Sequence, residues 1–112
     1  MSLKAQQLSQ RNFYLRPKHS CGESIEMLMS DIKEFIITND CNSLILDLSG
    51  YNLIYASQLG ILAATHHFIN YINGEVTIIV DNDQTKEAIN ILNLANAKIV
   101  LTQNAYIKGK IA

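Results

Sequence analysis

A buried apolar segment that leads through a short loop into a helix-forming segment limits the fold of this chain more than any other feature. The segment Leu44–Leu48 is apolar throughout except for Asp47. A strand inside a parallel sheet is covered on both faces and has such a run, whereas a half-solvated strand alternates. The pattern therefore predicts a buried parallel strand over 43–49 and a helix over about 57–72.

In the rest of the chain, predicted strands and predicted helices also follow one another in turn. Residues 1–11 are polar and aperiodic, which predicts a flexible N-terminal segment. Asn12–Arg16 is predicted to be a strand that ends at Pro17. Ser20 and Glu23 have the spacing of a capping box before an amphipathic helix. The elements predicted further along are strand Val76–Val80, a helix after an Asp83 N-cap, and strand Lys98–Leu101.

Strands that alternate with helices indicate a parallel sheet joined by right-handed crossovers. Because the chain has 112 residues, it is long enough for one domain with a sizeable core. We therefore predict a single α/β domain over residues 12–112, with a mostly parallel sheet of four or five strands and helices packed on it.

Composition excludes several functional classes. The chain has nine basic and ten acidic residues and a net charge of −1, which argues against nucleic-acid binding through phosphate contacts. No apolar run approaches the ~20 residues that span a bilayer, and the N-terminus lacks the apolar core of a secretory signal. We therefore expect a cytoplasmic protein that is not inserted in a membrane, with Cys21 and Cys41 as free thiols.

The segment from the predicted strand into the helix resembles the STAS domain, the fold of the anti-sigma factor antagonists. The family has Asp-Leu-Ser at the end of this strand, as Asp47–Ser49 does here. An apolar pair follows, matched by Leu53-Ile54, then an Asp-Ser-Ser-Gly run, and then the Leu-Gly that Leu59-Gly60 matches. Ser57 falls on the second serine of that run.

This resemblance implies a non-enzymatic regulatory module of bacterial transcription that docks a kinase-type anti-sigma partner. In the family the second serine is phosphorylated, so Ser57 is the candidate phosphorylation site. At a helix N-terminus a phosphate meets free N–H groups, and its charge of about −1.5 to −2 would weaken docking.

The same run also departs from the family pattern. Tyr55, Ala56 and Gln58 stand where the family has the aspartate, the first serine and the glycine. These departures favour an alternative, a degenerate and non-phosphorylated STAS-like subunit with a structural or scaffolding role. Ser57 would then be only an N-cap or a small spacer.

The predicted helix has large aliphatic side chains in its polar sector. Leu62 and Ile69 fall among polar residues, which an amphipathic surface helix avoids. The pattern predicts a surface for a protein partner or a homodimer, unless residues 1–11 or 103–112 cover it. The predicted partner-binding residues are Tyr55, Gln58, Leu62, Thr65, His66 and Ile69.

No catalytic, metal or cofactor site is predicted. Asp47 is expected to support the following loop by accepting N–H bonds from Tyr51–Tyr55. His66 and His67 are adjacent and point to different faces of a helix, so they cannot ligate one metal together. The sequence has no nucleophile–base pair and no glycine-rich nucleotide motif.

Overall fold

The computed structural model describes residues 3–18 and 24–102, which form one α/β unit. One additional strand precedes the predicted series of alternating strands and helices. The elements are β1 (Leu3–Ser9), β2 (Asn12–Pro17), α1 (Ile25–Thr38), β3 (Ser43–Asp47), α2 (Leu53–Asn70), β4 (Glu75–Val80), α3 (Asp83–Asn90) and β5 (Ala97–Leu101).

The five strands form one mixed sheet in the order β1-β2-β3-β4-β5. β1 pairs antiparallel with β2, and the other three pairings are parallel. The register aligns Leu15 with Leu46, Leu46 with Ile78, and Ile78 with Ile99. These residues form one apolar row across the sheet, and the predicted α/β class with a mostly parallel sheet is confirmed.

The three helices pack on one face of the sheet. Each crossover moves one strand in the same direction, and right-handed crossovers of that kind place every helix on the same side. α2 is the middle helix and contacts both α1 and α3. The core between helices and sheet contains the buried side chains Leu15, Leu28, Ile32, Leu46, Leu59, Ile78, Ile89 and Ile99.

The N-terminal segment contains a strand that the sequence did not predict. Leu3–Ser9 forms β1, with Leu3 buried against the core. The side chains of Lys4–Gln7 are exposed, because an edge strand is held by backbone hydrogen bonds to one neighbour and needs few apolar side chains. The prediction of a flexible segment over 1–11 is therefore wrong for residues 3–9.

Helix starts also differ from prediction. α2 begins at Leu53 rather than near Ser57, because the side chain of Asn52 caps it by accepting the Tyr55 N–H at 2.8 Å. Ser24 caps α1 and Asn82 caps α3. Asp83 is therefore the first helical residue rather than the cap. The predicted capping box of Ser20 and Glu23 lies outside the described residues.

Candidate functional site

The carboxyl edge of the sheet, where β2, β3 and β4 end, carries a polar network. An open groove of about 500 Å³ lies there, lined by Arg16–Lys18, Ser49–Asn52 and Tyr55. The loop from β3 to α2 forms one wall of this groove. This edge therefore positions the segment in which the sequence located its candidate site.

Asp47 is the centre of the network. One carboxylate oxygen accepts from the Ser49 N–H at 3.0 Å and from the Ser49 hydroxyl, and it lies 3.2 Å from Arg16 Nη1. The other oxygen accepts from the Tyr14 hydroxyl. Burial alone would raise the pKa of Asp47, but the hydrogen bonds from Ser49 and Tyr14, together with the Arg16 charge, lower it below its ordinary value.

These contacts hold the loop that follows β3. Asp47 bonds Ser49 rather than the predicted Tyr51–Tyr55. The next N–H, that of Gly50, donates to Asp81 at the end of β4 at 2.7 Å. Gly50 has φ +89°, a left-handed conformation that glycine adopts without steric cost. Two carboxylates from neighbouring strands therefore determine the conformation of the loop.

The pKa values of the two central groups of this network are shifted in opposite directions. Burial, followed by the hydrogen bond to Asp47, raises the pKa of Tyr14 to about 12. The pKa of Asp47 is shifted the other way, below that of an ordinary carboxyl group. A general acid or base works best with a pKa near the working pH. The arrangement is that of a structural clamp.

Ser57 lies in the second turn of α2 and is half-buried. The first α-helical bond of α2 runs from the Ala56 N–H to the Asn52 carbonyl at 2.9 Å. The N–H groups without helical partners therefore precede Ala56, and Ser57 is not among them. The expectation that a phosphate on Ser57 would meet free N–H groups is wrong, because α2 begins earlier than predicted.

The outer surface of α2 carries several large apolar side chains and no acidic, lysine or arginine residue. No Asp, Glu, Lys or Arg occurs between Asp47 and Glu75. Ile54 is 64% exposed, Ile61 37%, Phe68 61% and Ile69 69%. Large apolar side chains exposed together on one helix are typical of a surface that another protein covers.

The predicted partner-binding residues are divided between exposed and half-buried positions. Gln58, Thr65 and Ile69 are exposed. In contrast, Tyr55, Leu62 and His66 are half-buried. Leu62 packs against the core, so its prediction as an exposed aliphatic in the polar sector is wrong.

Sequence reasoning missed the most continuous apolar stripe of α2, formed by Ile54, Ile61 and Phe68. It singled out Tyr55, Leu62 and Ile69, which are one residue further along and therefore about 100° around the helix. The seven-residue spacing of Ile54, Ile61 and Phe68 was the signal that could have found the stripe. Without a charged face, the few polar residues of α2 were the only guide used to orient the helix, and they placed the exposed side about 100° away from this stripe.

The N-terminal segment does not cover this surface, because Leu3–Ser9 pairs with β2 as the edge strand of the sheet. Residues 103–112 lie outside the described part of the chain.

Within the described part, no helix has the length and hydropathy needed to cross a bilayer.

A second polar cluster lies at the opposite, amino edge of the sheet, where α2 ends. The buried His67 places Nε2 2.8 Å from the Cys41 carbonyl oxygen, and no described group is hydrogen-bonded to its Nδ1. Burial lowers the pKa of His67. Cys41 is a free, buried thiol, and the Tyr71 hydroxyl accepts its N–H at 3.2 Å.

The ligand types at this cluster, a histidine and a cysteine, are those that bind zinc. Across residues 3–18 and 24–102, no group of three or more His, Cys, Asp or Glu side chains is placed to hold a metal ion. His66 and His67 point to different sides of α2, and only His67 is buried. The cluster is therefore best described as packing around the end of α2.

Comparisons of the chain with family models, with curated proteins and with solved structures gave no match. The geometry itself distinguishes two kinds of surface. At the carboxyl edge, the polar groups of Asp47, Tyr14 and Ser49 satisfy one another. On the outer side of α2, large apolar groups face solvent. The first arrangement stabilises a loop, and the second is suited to contact with another protein.

Proposed function

We propose that this chain is a non-enzymatic protein-interaction module with a STAS-like fold, resembling an anti-sigma factor antagonist. It docks a kinase-type anti-sigma factor, or a related protein, through the loop 49–52 and α2. The observation that carries the proposal is the exposed apolar surface of α2, which has no charged side chain over its whole length.

The composition of this surface supports a protein partner. The central part of a protein–protein interface is depleted of charged residues and enriched in large apolar ones. Ile69 is 69% exposed, and Gln58 and Thr65 are exposed polar neighbours on the same helix. An apolar group beside uncharged polar groups is the pattern expected of a docking surface.

The carboxyl-edge network supports a docking role over a catalytic one. The Asp47 carboxylate accepts from Ser49 and Tyr14 and lies against Arg16. A catalytic base needs a free position for a substrate proton. These contacts instead hold the loop beside the start of α2 in one conformation, which reduces the entropy lost on binding.

The structure favours a constitutive module, the alternative that the departures at Tyr55, Ala56 and Gln58 suggest. Ser57 is half-buried and lies beyond the free N–H groups of α2. A phosphorylation switch at Ser57 is the second candidate. Its support is that Ser57 aligns with the second serine of the family and lies next to the exposed Gln58.

Binding to an anti-sigma kinase from the same genome tests the docking proposal. Isothermal titration calorimetry would compare the wild type, Ile69→Glu and a control, Met27→Glu, which places the same charge at an exposed apolar position of α1. We expect Ile69→Glu to weaken binding at least about tenfold, or 1.4 kcal/mol. We expect Met27→Glu to bind as the wild type does. Equal binding by all three proteins would contradict docking through α2.

Intact-mass measurement after incubation with the same kinase and ATP separates the two candidates. A constitutive module keeps its mass and still binds the kinase. A gain of one phosphate that is lost in Ser57→Ala would instead establish the switch.

A further inference from the structure

Three apolar side chains form a line along the outer surface of α2. Ile54, Ile61 and Phe68 are spaced seven residues apart, and they are 64%, 37% and 61% exposed. With a rise of 1.5 Å per residue, neighbouring members lie about 10.5 Å apart along the helix. Helices that pack lengthwise on other helices repeat their contact residues at this spacing. The line therefore has the form of a helix-packing seam.

The uncharged surface of α2 restricts what can occupy this seam. A partner helix with charged contact residues would lose their hydration and gain no ion pair, because α2 has no charged side chain. A second copy of α2 brings no charge to the contact. Two copies of this surface therefore meet without charge repulsion and present the same apolar line to each other, as an interface related by a two-fold axis requires.

We propose that α2 is the interface of a homodimer in which two copies of the helix pack antiparallel around a two-fold axis beside Ile61. In this arrangement Ile61 packs on Ile61 of the second copy. Ile54 packs near Phe68 of the second copy, and Phe68 near its Ile54. α2 is the middle helix of its layer, with contacts to both α1 and α3, so the seam lies near the centre of the helical face.

A shallow apolar groove lies beside one end of the seam. It has a volume of about 290 Å³ and is lined by Ala64–Thr65, Phe68–Ile69 and Asn93–Asn96. In the antiparallel pair, this groove faces the start of the second copy's α2, which carries the exposed Ile54. Ile72, Ile91 and Leu92, in the segments that follow α2 and α3, are also exposed apolar residues.

The contact between two copies of α2 is small compared with standard interfaces. α2 has 18 residues and is therefore about 27 Å long. Standard stable interfaces use about 20–30 residues on each side, and a single helix pair supplies fewer. We therefore expect a dimer with a dissociation constant in the micromolar range.

Sedimentation equilibrium of the full chain over a range of concentrations tests the dimer. The wild type should associate reversibly. Ile61→Glu, which places two glutamates against each other at the axis, should raise the dissociation constant at least about tenfold. Ile37→Glu, the same change at an exposed isoleucine of α1, should leave it unchanged. Circular dichroism checks folding, and Ile54→Glu, at a seam position that is 64% exposed, replaces Ile61→Glu if the latter fails to fold.

Cysteine cross-linking tests the antiparallel orientation, in a Cys21→Ser background. Ile61→Cys should form a disulfide with its own copy on mild oxidation, because the axis brings the two positions together. Ile54→Cys alone should not, whereas a mixture of Ile54→Cys and Phe68→Cys should form a mixed disulfide. Self-linked Ile54→Cys would indicate parallel helices and overturn the arrangement.

The outcomes separate this dimer from the docking of a different protein. A chain that stays monomeric at all concentrations overturns the dimer, as does association that Ile61→Glu leaves intact. Both proposals use the outer surface of α2, and Ile69 lines the groove that faces the second copy. The calorimetry of Ile69→Glu is therefore carried out with this chain below the dissociation constant of the dimer, where loss of kinase binding and loss of the dimer are measured separately.

Discussion

The helices α1 and α2 pack side by side on the same face of the sheet, yet their outer surfaces differ in charge. α1 presents the charged residues Glu26, Lys33 and Glu34 to solvent. α2 has no charged residue and presents isoleucine and phenylalanine instead. Both helices cover the same core, so the core does not require the difference. It reflects what the outer side of each helix meets, which is water for α1 and, as we propose, another protein for α2.

The inner surfaces of the two helices also differ. α1 contributes large side chains, among them Ile32 and Ile36. α2 contributes several small residues, including Gly60 and Ala63. A Cβ atom at Gly60 would lie only 3.4 Å from Ile78 Cδ1, which shows how closely α2 approaches the sheet.

The largest expected difference is in stability, between alanine substitutions on the inner side of each helix and alanine substitutions on its outer side. We expect Leu59→Ala and Ile32→Ala, both at fully buried positions, to lower the free energy of unfolding by about 2–5 kcal/mol. Ile61→Ala and Ile37→Ala, at exposed positions of the same helices, should each change it by about 0.5 kcal/mol or less. Urea denaturation at low protein concentration measures all four. A cost of several kcal/mol for Ile61→Ala would mean that its side chain belongs to the core of the monomer.

The features that the sequence predicted are those with a strong local pattern. The apolar run of β3 and the amphipathic period of α1 each identify an element, because burial on two faces or on one stripe leaves a distinct pattern. β1 left no such pattern, because its pairing uses the backbone and its Lys4–Gln7 side chains are exposed. The orientation of α2 was missed because a helix without charges has no marked polar face.

The candidate site was predictable only in part. Asp47 was singled out because a carboxylate inside an apolar run needs partners. Those partners include Tyr14 and Arg16 of β2, which reach Asp47 only because β2 and β3 are neighbours in a particular register. A single sequence does not contain that register. The start of α2 at Leu53 was missed because Asn52 and Ser57 are both good N-cap residues.

Glycine substitutions test how closely the middle of α2 and the turn after it are packed. A Cβ atom at Gly74 would lie 2.6 Å from His67 Cε1 and 2.7 Å from the Asn42 carbonyl oxygen. We expect Gly74→Ala to destabilise the fold by about 1–3 kcal/mol. Gly60→Ala adds a methyl group at ordinary contact distance in mid-helix, and we expect it to stabilise the fold by up to about 1 kcal/mol. Thermal unfolding that shifts in the same direction for both variants would contradict this difference.

A buried titratable group distinguishes the inner side of α2 from that of α1. Burial lowers the pKa of His67 in the folded chain, so the unfolded chain takes up a proton first as the pH falls. Stability is therefore full above the unfolded pKa of about 6.5 and declines below it, by at most about 1.4 kcal/mol per pH unit. Denaturation between pH 7.5 and 5 should show this decline in the wild type and in His66→Gln, but not in His67→Gln. A decline that persists in His67→Gln would assign it to another group.

The smallest expected difference concerns the caps at which the two helices begin. Asn52 accepts the Tyr55 N–H at 2.8 Å, whereas Ser24 accepts the Met27 N–H at 3.2 Å. Loss of an N-cap side chain costs about 0.5–2 kcal/mol. We expect Asn52→Ala to cost about 1 kcal/mol and Ser24→Ala about half as much, as measured by urea denaturation. Asn52 also ends the loop that Asp47 and Asp81 hold, so Asn52→Ala should weaken kinase binding where Ser24→Ala does not. Equal losses of binding in both variants would mean that stability alone, rather than the placement of α2, governs docking.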